Sequence, residues 1–588
     1  MTPPFLVFPA EQGAPQGLFQ VFEGPERVFS GPYLQEAEEW ALSTGGFLAG
    51  GLRYGRAEES ASGWWGVFSR PTLLTRQEVL ALAGELPLVS ALEPEWTPED
   101  HANAFRGVRE ALSRGNSYQV NITFPLTGRL ITGSDFTWQA ALRLWLEILA
   151  PSGNTTLGQG REGVFAHLGA ELIVSLSPEL FFQKNGEQVT SRPMKGTSRR
   201  GQTSKEDLEL REALVQSPKD RAENLMITDM IRNDLGRVAG ASRVEVPRLF
   251  EAEAYPTVWQ LTSTVTATLA PETQLAPLMA ALFPCASITG APKLRTQELL
   301  EQLEGTPRGW YTGTLGWAYG DKAHFNVLIR TLVFPDAERP EFRLGVGGGI
   351  VWDSIAQDEY QEALAKSLFL ARAQRNFDLF ETLLWEPEGG WLLLDLHWAR
   401  VAESARVFGT TALRSEFTEA LEAAVSAALA ATEVGNVPLK VKVALLPNGR
   451  WQAEAQPAGV WPDELTWALS AGPLTEDLLL FRQHKTSDRG VYQSGLVEGV
   501  DQTVFWNPRG ELTETQSMNL AVKLGGEWLT PPLSSGLLPG TYRAHLLEKG
   551  LLREQVLFVA DLEKGQELAF FNSVRRWKKG KPLRPTLR

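Results

Sequence analysis

Cysteine is almost missing from this chain: Cys285 is the only one in 588 residues. No internal disulfide framework can form, and the composition suits a reducing compartment, so the cytoplasm is the expected location. A basic excess is missing too. The chain has 56 Lys and Arg against 70 Asp and Glu, a formal charge of −14. That argues against nonspecific nucleic-acid binding, which uses basic surface to displace counterions. No apolar run reaches the roughly 18 residues a membrane span needs. The opening Met1-Thr-Pro-Pro-Phe-Leu lacks a basic segment followed by an apolar one, so no signal peptide is expected. Internal repeats and low-complexity tracts are absent. What is there is an ordinary globular composition, 43% hydrophobic and 21% charged. The chain is too long for one core and should divide into two or three domains. Its acidity sets one local problem: a site for an anionic substrate needs its own cations, backbone amides or a metal.

Residues 1 to 100 are rich in Trp, Gly and short apolar runs, as in Gly45-Gly-Phe-Leu-Ala-Gly-Gly and Gly63-Trp-Trp-Gly-Val-Phe, and read as strands and turns. A polar break at Glu93-Pro-Glu-Trp-Thr-Pro-Glu-Asp precedes a helix with Ala104, Val108 and Leu112 at helical spacing. Gln374-Arg-Asn-Phe-Asp follows a helix ending near Ala373 and marks the boundary between domains 1–373 and 374–588. Beyond it come a strand from Leu379 to Trp385, a turn at Glu386-Pro-Glu-Gly-Gly and a strand from Trp391 to Leu394. The basic stretch Arg575-Arg-Trp-Lys-Lys-Gly-Lys reads as a solvated terminus rather than a nucleic-acid patch.

The segment Ser217 to Arg237 carries helix signals: Ser217 can cap, Pro218 suits the first turn and Gly236 can end the helix. Leu225, Met226, Met230 and Ile231 form its apolar stripe, with Glu223 off it. A second helix starting near Asp358 places Glu359 and Glu362 on one face. Three carboxylates from two helices could hold magnesium, which prefers oxygen ligands and often completes its shell with substrate. Exposed helical glutamates more often simply face solvent. The run Gly347-Gly-Gly reads either as a tight turn or as small residues that let backbone amides approach a flat anion; followed by Ile-Val-Trp-Asp, it is no nucleotide phosphate loop.

Seven motifs occur in one order: Gly115-Asn-Ser-Tyr-Gln-Val-Asn, Ser177-Pro-Glu, Arg192-Pro-Met-Lys-Gly-Thr, Asp220-Arg-Ala-Glu-Asn-Leu, Arg232-Asn-Asp-Leu-Gly-Arg, Gly290-Ala-Pro-Lys and Gly347-Gly-Gly-Ile-Val-Trp-Asp-Ser. Over about 105 to 370 the chain thereby resembles the chorismate-utilising enzymes: anthranilate synthase, isochorismate synthase and aminodeoxychorismate synthase component I. The resemblance implies an α+β fold with antiparallel sheets flanked by helices. It implies that Glu223 and Glu362, with Glu359 nearby, hold magnesium against the ring carboxylate of chorismate. Arg330 and Lys366 would meet the other carboxylate, helped by Tyr311 and the amides of Gly347, Gly348 and Gly349. Lys195 stands where anthranilate and isochorismate synthases usually have alanine and aminodeoxychorismate synthase has lysine; Gly196 and Thr197 would contact substrate beside it. A lysine in water, with a pKa of about 10.4, is a poor nucleophile at neutrality; buried among cations it could be partly neutral and attack carbon 2 of the ring. Glu179 would protonate the departing hydroxyl at carbon 4. The alternative is a lysine that only neutralises a carboxylate. One departure stands out: Gln260 occupies a position where many relatives have histidine, and it can hydrogen-bond but cannot shuttle a proton near pH 7. Cys285 lies inside the motif region without a Gly-x-Cys-x-Gly setting. The ammonia is therefore expected from solution or from a separate glutamine amidotransferase subunit.

From about Phe377 to Arg576 a second set appears: Phe380-Glu-Thr-Leu, His397-Trp-Ala-Arg, His484-Lys-Thr-Ser, Leu512-Thr-Glu-Thr-Gln-Ser-Met-Asn, Leu538-Pro-Gly-Thr-Tyr-Arg and Asn572-Ser. It resembles the fold-type IV pyridoxal-phosphate enzymes, an α/β fold that includes aminodeoxychorismate lyase and aminotransferases. The resemblance implies that Lys485 holds the cofactor covalently. Glu514 would keep its ring nitrogen protonated, and Arg400, the amides of Gly540, Thr541 and Tyr542, and Ser573 would hold its phosphate. His-Lys-Thr-Ser should follow a strand from Leu478 to Gln483, with His484 on the opposite face and packing rather than reacting. Together the halves imply chorismate amination followed by release of pyruvate, giving 4-aminobenzoate. A transaminase or a noncatalytic dimerisation module remains open for the second half, and relatives of this class commonly pair as homodimers.

Overall fold

The strand Phe5–Pro9 shows how the first half is layered. Alternate side chains of a strand point to opposite faces. Phe5 and Val7 join one core with Ala141, Leu142 and Trp145 of the helix Trp138–Leu149. Leu6 and Phe8 join another with Trp64, Phe68, Leu315 and Trp317. A strand buried on both faces needs no polar alternation. These residues belong to an eleven-stranded and a ten-stranded sheet that bury their facing sides against each other, with antiparallel pairing throughout. Helices cover the outer sides: Trp138–Leu149 and Ala356–Ala365 on one sheet, Leu34–Thr44, Pro218–Gly236 and Leu275–Leu282 on the other.

The computed structural model describes all residues except 11–17, 56–62, 150–161, 200–203, 239, 255–257, 371–376, 409, 411, 432–436, 447–448, 475–478, 494, 563–566 and 584–588. The expected helix end near Ala373 lies outside the described residues. The chain divides into two compact units, Met1–Arg375 and Asn376–Arg588. The second holds a four-stranded antiparallel sheet and an eight-stranded mixed sheet, whose core includes Leu465, Val504, Leu520 and Phe570. The first unit is α+β and the second mixes helices with both kinds of strand pairing. No helix among the described residues is long and apolar enough to cross a membrane.

Several expectations need correction. Residues 1 to 100 are not only strands and turns. Leu34–Thr44 is a helix with Leu34, Ala37 and Ala41 buried at helical spacing, and Arg76–Leu82 starts with a capping box in which Thr75 and Glu78 bond reciprocally. Trp391 to Leu394 is not a strand. Only Gly390–Trp391 pairs, and the helix Leu394–Val407 follows at once. Leu479–Gln483 is helical rather than extended, because a short apolar run carries no decisive periodicity. The stretch from Arg575 is not a solvated terminus. Arg576–Pro582 is a strand paired with Leu568–Asn572 and Glu464–Leu469, and Trp577 stacks on Phe571 at 5.3 Å. Its charged side chains flank an aromatic anchor.

Candidate active sites

The helix Pro218–Gly236 begins as expected, with the Ser217 side chain accepting from the Asp220 amide at 3.3 Å. Its inward face is different. Ile227, Ile231 and Leu235 are buried with Asn224, Thr228 and Asp234, whereas Leu225 is 51% exposed. The polar side chains face inward because each meets a partner there. The Asn224 amide donates to the Lys195 carbonyl at 3.3 Å and to the Leu261 carbonyl at 3.1 Å, and Asp234 binds Lys293 at 2.6 Å. Of the expected stripe, Ile231 is buried and Met230 packs against the same core, while Leu225 faces solvent. The helix docks directly onto the strand Met194–Arg199, which carries Lys195.

That strand is held from its other side by Gln260, whose amide donates to the Gly196 carbonyl at 2.8 Å while its carbonyl accepts from Thr197 at 3.1 Å. Gln260 thus supports the strand. Gly196 has φ +93°, a backbone region that side chains rarely adopt. Lys195 is partly buried, and burial followed by the nearby Lys366 charge holds its ammonium below the ordinary lysine range. Its Nζ lies beside Gly349, where a Cβ would come within 3.2 Å of it, 2.9 Å of Asn121 Oδ1 and 2.4 Å of Gln119 Nε2. A side chain there would have to displace the ends of Gln119 and Asn121.

Gly347 to Gly349 are neither turn nor loop. They lie in the strand Glu341–Ile350, opposite Thr123, Ile122 and Asn121 of the strand Gln119–Ile131. Asn121 turns its backbone away from them, donating to Thr289 at 3.0 Å and accepting from Arg308 at 2.6 Å. In an antiparallel ladder the residue opposite must also face away, and alternation adds Gly347. The amides of Gly347 and Gly349 therefore point to the open edge, where the Gly347 carbonyl accepts from Lys366 at 2.6 Å. Tyr311 lays its ring against Gly345 of the same strand. Arg330, with φ +51°, immediately precedes the strand Thr331–Phe334, and its carbonyl accepts from the Leu176 amide at 3.1 Å.

Glu179 is buried. Its Oε1 accepts from the Ser287 hydroxyl at 2.7 Å, and burial pushes its carboxyl up to about 7. Cys285 is also buried, its thiol pushed up to about 12 mainly by burial. The carboxylates proposed for metal are less gathered. Burial raises Glu223 above the carboxylate range, and Glu359 lies close enough to add to that rise. Glu359 accepts from Ser354 at 2.6 Å, and Glu362 pairs with Lys366 at 3.2 Å. Among the described residues no group of three or more His, Cys, Asp or Glu is disposed to hold a metal ion. The strand 119–131 is braced by a buried ion pair. Arg308 binds Glu304 at 2.7 Å, and Glu304 accepts from the Thr123 amide at 2.9 Å.

In the second unit Lys485, Glu514, Arg400, Gly540, Thr541, Tyr542 and Ser573 all line one cavity of about 230 Å³. Lys485 is partly buried; burial and then the Arg400 charge lower its ammonium to about 8. Its Nζ sits 4.8 Å from the Phe380 ring centroid, and its carbonyl accepts from the Phe380 amide at 3.0 Å. Glu514 is buried, raised by burial to about 7, and accepts from the Tyr492 hydroxyl at 2.7 Å. Arg400 is fixed by two bonds to Glu381, at 2.7 and 2.6 Å, and donates to the Pro539 carbonyl at 3.1 Å. Glu381 is held well below the usual carboxylate range despite burial, by Arg400 first and then His397. His397 lies 2.7 Å from Glu381 and 3.2 Å from the Thr541 hydroxyl. It thereby ties Arg400 to the first turn of the helix Thr541–Glu548, which Gly540 precedes. His484 lies in the turn after helix 479–483, 3.0 Å from Ser404 and edge-on to Phe408.

The sequence reading missed Ser287, Gln119, Asn121, Glu304 and Arg308 in the first unit, and Glu381, His397, Tyr492 and Arg575 in the second. Glu381 and His397 stand inside quoted motifs, but their pairing spans 16 residues. Only a fold can show it.

Residues 70–372 match the family model of the chorismate binding enzymes, and the chain belongs to that family. Residues 378–579 match that of the amino-transferase class IV proteins. Among individual relatives, aminodeoxychorismate synthase component 1 of Escherichia coli is 38% identical over 283 residues, covering 48% of this chain and 59% of that protein. Anthranilate synthase component 1 3 of Haloarcula marismortui is 35% identical over 285 residues, covering 48% of this chain and 54% of its own. The chain thus spans a little over half the length of these relatives. Among solved structures, the menaquinone-specific isochorismate synthase MenF of Escherichia coli superposes with a TM-score of 0.51 at 16% identity, over 64% of this chain and 89% of its own. That likeness shows the fold.

Proposed function

We propose that this chain converts chorismate to 4-aminobenzoate, aminating it in residues 1–373 and releasing pyruvate in residues 374–588. The observation that supports the first step best is Lys195. It is a partly buried lysine held below its ordinary range in the same pocket of charge as a buried glutamate poised near neutrality. Neutral Lys195 adds through Nζ to carbon 2 of chorismate, the ring double bonds shift, and the carbon 4 hydroxyl leaves as water on taking a proton from Glu179. Ammonia then adds at carbon 4, the double bonds shift back and the lysine amine departs. The new amine lies para to the ring carboxylate. The cations Arg330 and Lys366, with Tyr311 and the edge-facing glycine amides, answer one carboxylate of the substrate, and Gly196 and Thr197 line the approach to Lys195.

Magnesium commonly takes only one or two protein carboxylates and lets substrate oxygens complete its shell. Glu223 and Glu362, both near enough to act on Lys195, fit that smaller requirement, with Glu359 nearby and acting on Glu223. They would hold the ion against the ring carboxylate. Cys285, with its thiol near 12, is unsuited to glutamine hydrolysis. Ammonia comes from solution or a separate amidotransferase.

The second cavity suits pyridoxal phosphate by the chemistry of its donors. Lys485 would hold it covalently; Arg400, the amides of Gly540 to Tyr542, and Ser573 would hold its phosphate. Glu514 would face the ring nitrogen, whose proton supplies the charge that burial denies this carboxyl. When bound, the cofactor supplies an electron sink for charge developing at the amine-bearing carbon. Lys485, near 8, takes the proton from carbon 4 of the aminated ring. Pyruvate leaves and the ring becomes aromatic. Transamination is a second reading, favoured by the class IV amino-transferase match, and it would yield no aromatic product. A cytoplasmic location and a homodimer formed through residues 374–588 complete the proposal.

The test is purified chain with chorismate, ammonium, magnesium and pyridoxal phosphate, its products resolved by mass. 4-Aminobenzoate and pyruvate should appear in equal amounts; anthranilate, or no aromatic product, would overturn the proposal.

A further inference from the structure

The cavity of the second unit has a charge its chain does not. The protein as a whole carries an acidic excess of 14, yet this wall bears Arg400, Lys440, Lys485, Arg489 and Arg575 against one carboxylate, Glu514. Arg400 is neutralised by Glu381 behind it, and Lys485 and Glu514 have roles in the reading above. Lys440, Arg489 and Arg575 are left over. None of the three forms an ion pair with an acidic side chain among the described residues. Arg575 is held in place by other means. Its guanidinium lies 3.4 Å from the Trp461 ring centroid, and its amide donates to Asn572 Oδ1 at 2.7 Å. Arg489 sits 4.9 Å from the ring centroid of Tyr492, whose hydroxyl binds Glu514. Lys440 approaches from the strand Leu439–Leu445.

These three cations line one cavity without a direct carboxylate partner; Lys440 and Arg575 are partly buried there, while Asp501 and Glu514 act on Arg575 and Arg489 only at a distance. With the cofactor's phosphate answered by Arg400, the amides of Gly540 to Tyr542 and Ser573, these three cations suit an occupant that brings further negative charge. One carboxylate would leave two of the three unanswered. We infer that Lys440, Arg489 and Arg575 are the specificity-determining set of this site, recognising an amine that carries two carboxylates and disfavouring ordinary monocarboxylate amino acids. The inference rests on the reading of the cavity as a pyridoxal-phosphate site. It gives a function to Arg575, which opens the basic stretch at the chain's end.

The cofactor's absorbance reports this site, because the donors read for pyridoxal phosphate all line this cavity. Full-length protein loaded with pyridoxal phosphate is titrated with isophthalate, an unreactive ring dicarboxylate, and with benzoate, its monocarboxylate counterpart. The wild type should bind isophthalate at least tenfold more tightly than benzoate, read from the saturable change in cofactor absorbance. Arg575→Ala, Arg489→Ala and Lys440→Ala should each keep the cofactor yet weaken isophthalate at least tenfold, with benzoate changing less. Arg575→Lys should retain most of the preference. An unchanged isophthalate-to-benzoate ratio in all three alanine variants, with cofactor bound, would overturn the inference and leave the cofactor reading standing. If the wild type develops no cofactor absorbance at all, both fall together.

Discussion

The Ser287 hydroxyl donates to Glu179 across 2.7 Å, and the Cys285 sulfur lies 3.2 Å from that same hydroxyl. The bond opposes the burial that drives the Glu179 carboxyl up to about 7. An acid with that value is protonated below neutrality and loses its proton as pH rises through about 7. Amination should therefore fall on the alkaline side in kcat/KM for chorismate, measured at fixed free ammonia. Ser287→Ala removes an interaction that lowers the value, so the falling limb should move to higher pH. A limb that stays put or moves down would break the link between the two residues.

Lys195→Ala should abolish para-amination while leaving magnesium-dependent chorismate binding largely intact, because the nucleophile is lost and the carboxylate anchors remain. Equilibrium dialysis with labelled chorismate gives the binding, and mass analysis gives the product. Unchanged formation of aminodeoxychorismate at neutral pH would show that Lys195 is not the nucleophile.

Cys285→Ser keeps a polar atom near Ser287 and removes a thiol that is scarcely ionised. Ammonium-dependent turnover should stay within about twofold, since no step uses the thiolate. Glutamine should support no activity in either protein when free of other subunits. Glutamine-dependent turnover that vanishes in the variant would reverse this reading.

Arg308→Ala leaves Glu304 buried without its cation and strips a donor from the Asn121 and Ile288 carbonyls. Breaking a buried pair from one side costs about 3–5 kcal/mol. Denaturant unfolding followed through the first unit should show a loss of that order. A loss within the roughly 0.5 kcal/mol typical of surface changes would mean the pair braces nothing.

The motif residues were legible in the sequence where chemistry is written locally. Ser217 and Pro218 announce their helix, and Lys485 and Glu514 stand in short patterns that the fold brings to one cavity. What stayed illegible depends on partners far along the chain. Leu225 looks like core, yet it is exposed because Asn224 turns inward to the carbonyls of Lys195 and Leu261. The glycines at 347 to 349 suggest a turn until strand 119–131 lies opposite them. Arg575 looks like a frayed tail until strand 576–582 completes a sheet beside the cavity. Gln260, marked as a missing histidine, proves to be a clamp on the backbone of Gly196 and the Thr197 side chain.

Lys485→Ala tests the central claim, two successive reactions in one chain, most directly. The variant is given chorismate, ammonium, magnesium and pyridoxal phosphate, and its products are followed by mass over time. The first site has its own nucleophile and acid in Lys195 and Glu179, so chorismate consumption should continue. The second loses its cofactor anchor and its proton-transfer group, the latter alone worth about 10²–10⁴-fold. Aminodeoxychorismate should accumulate while 4-aminobenzoate and pyruvate fall to background. Release of 4-aminobenzoate at the wild-type rate would contradict the account.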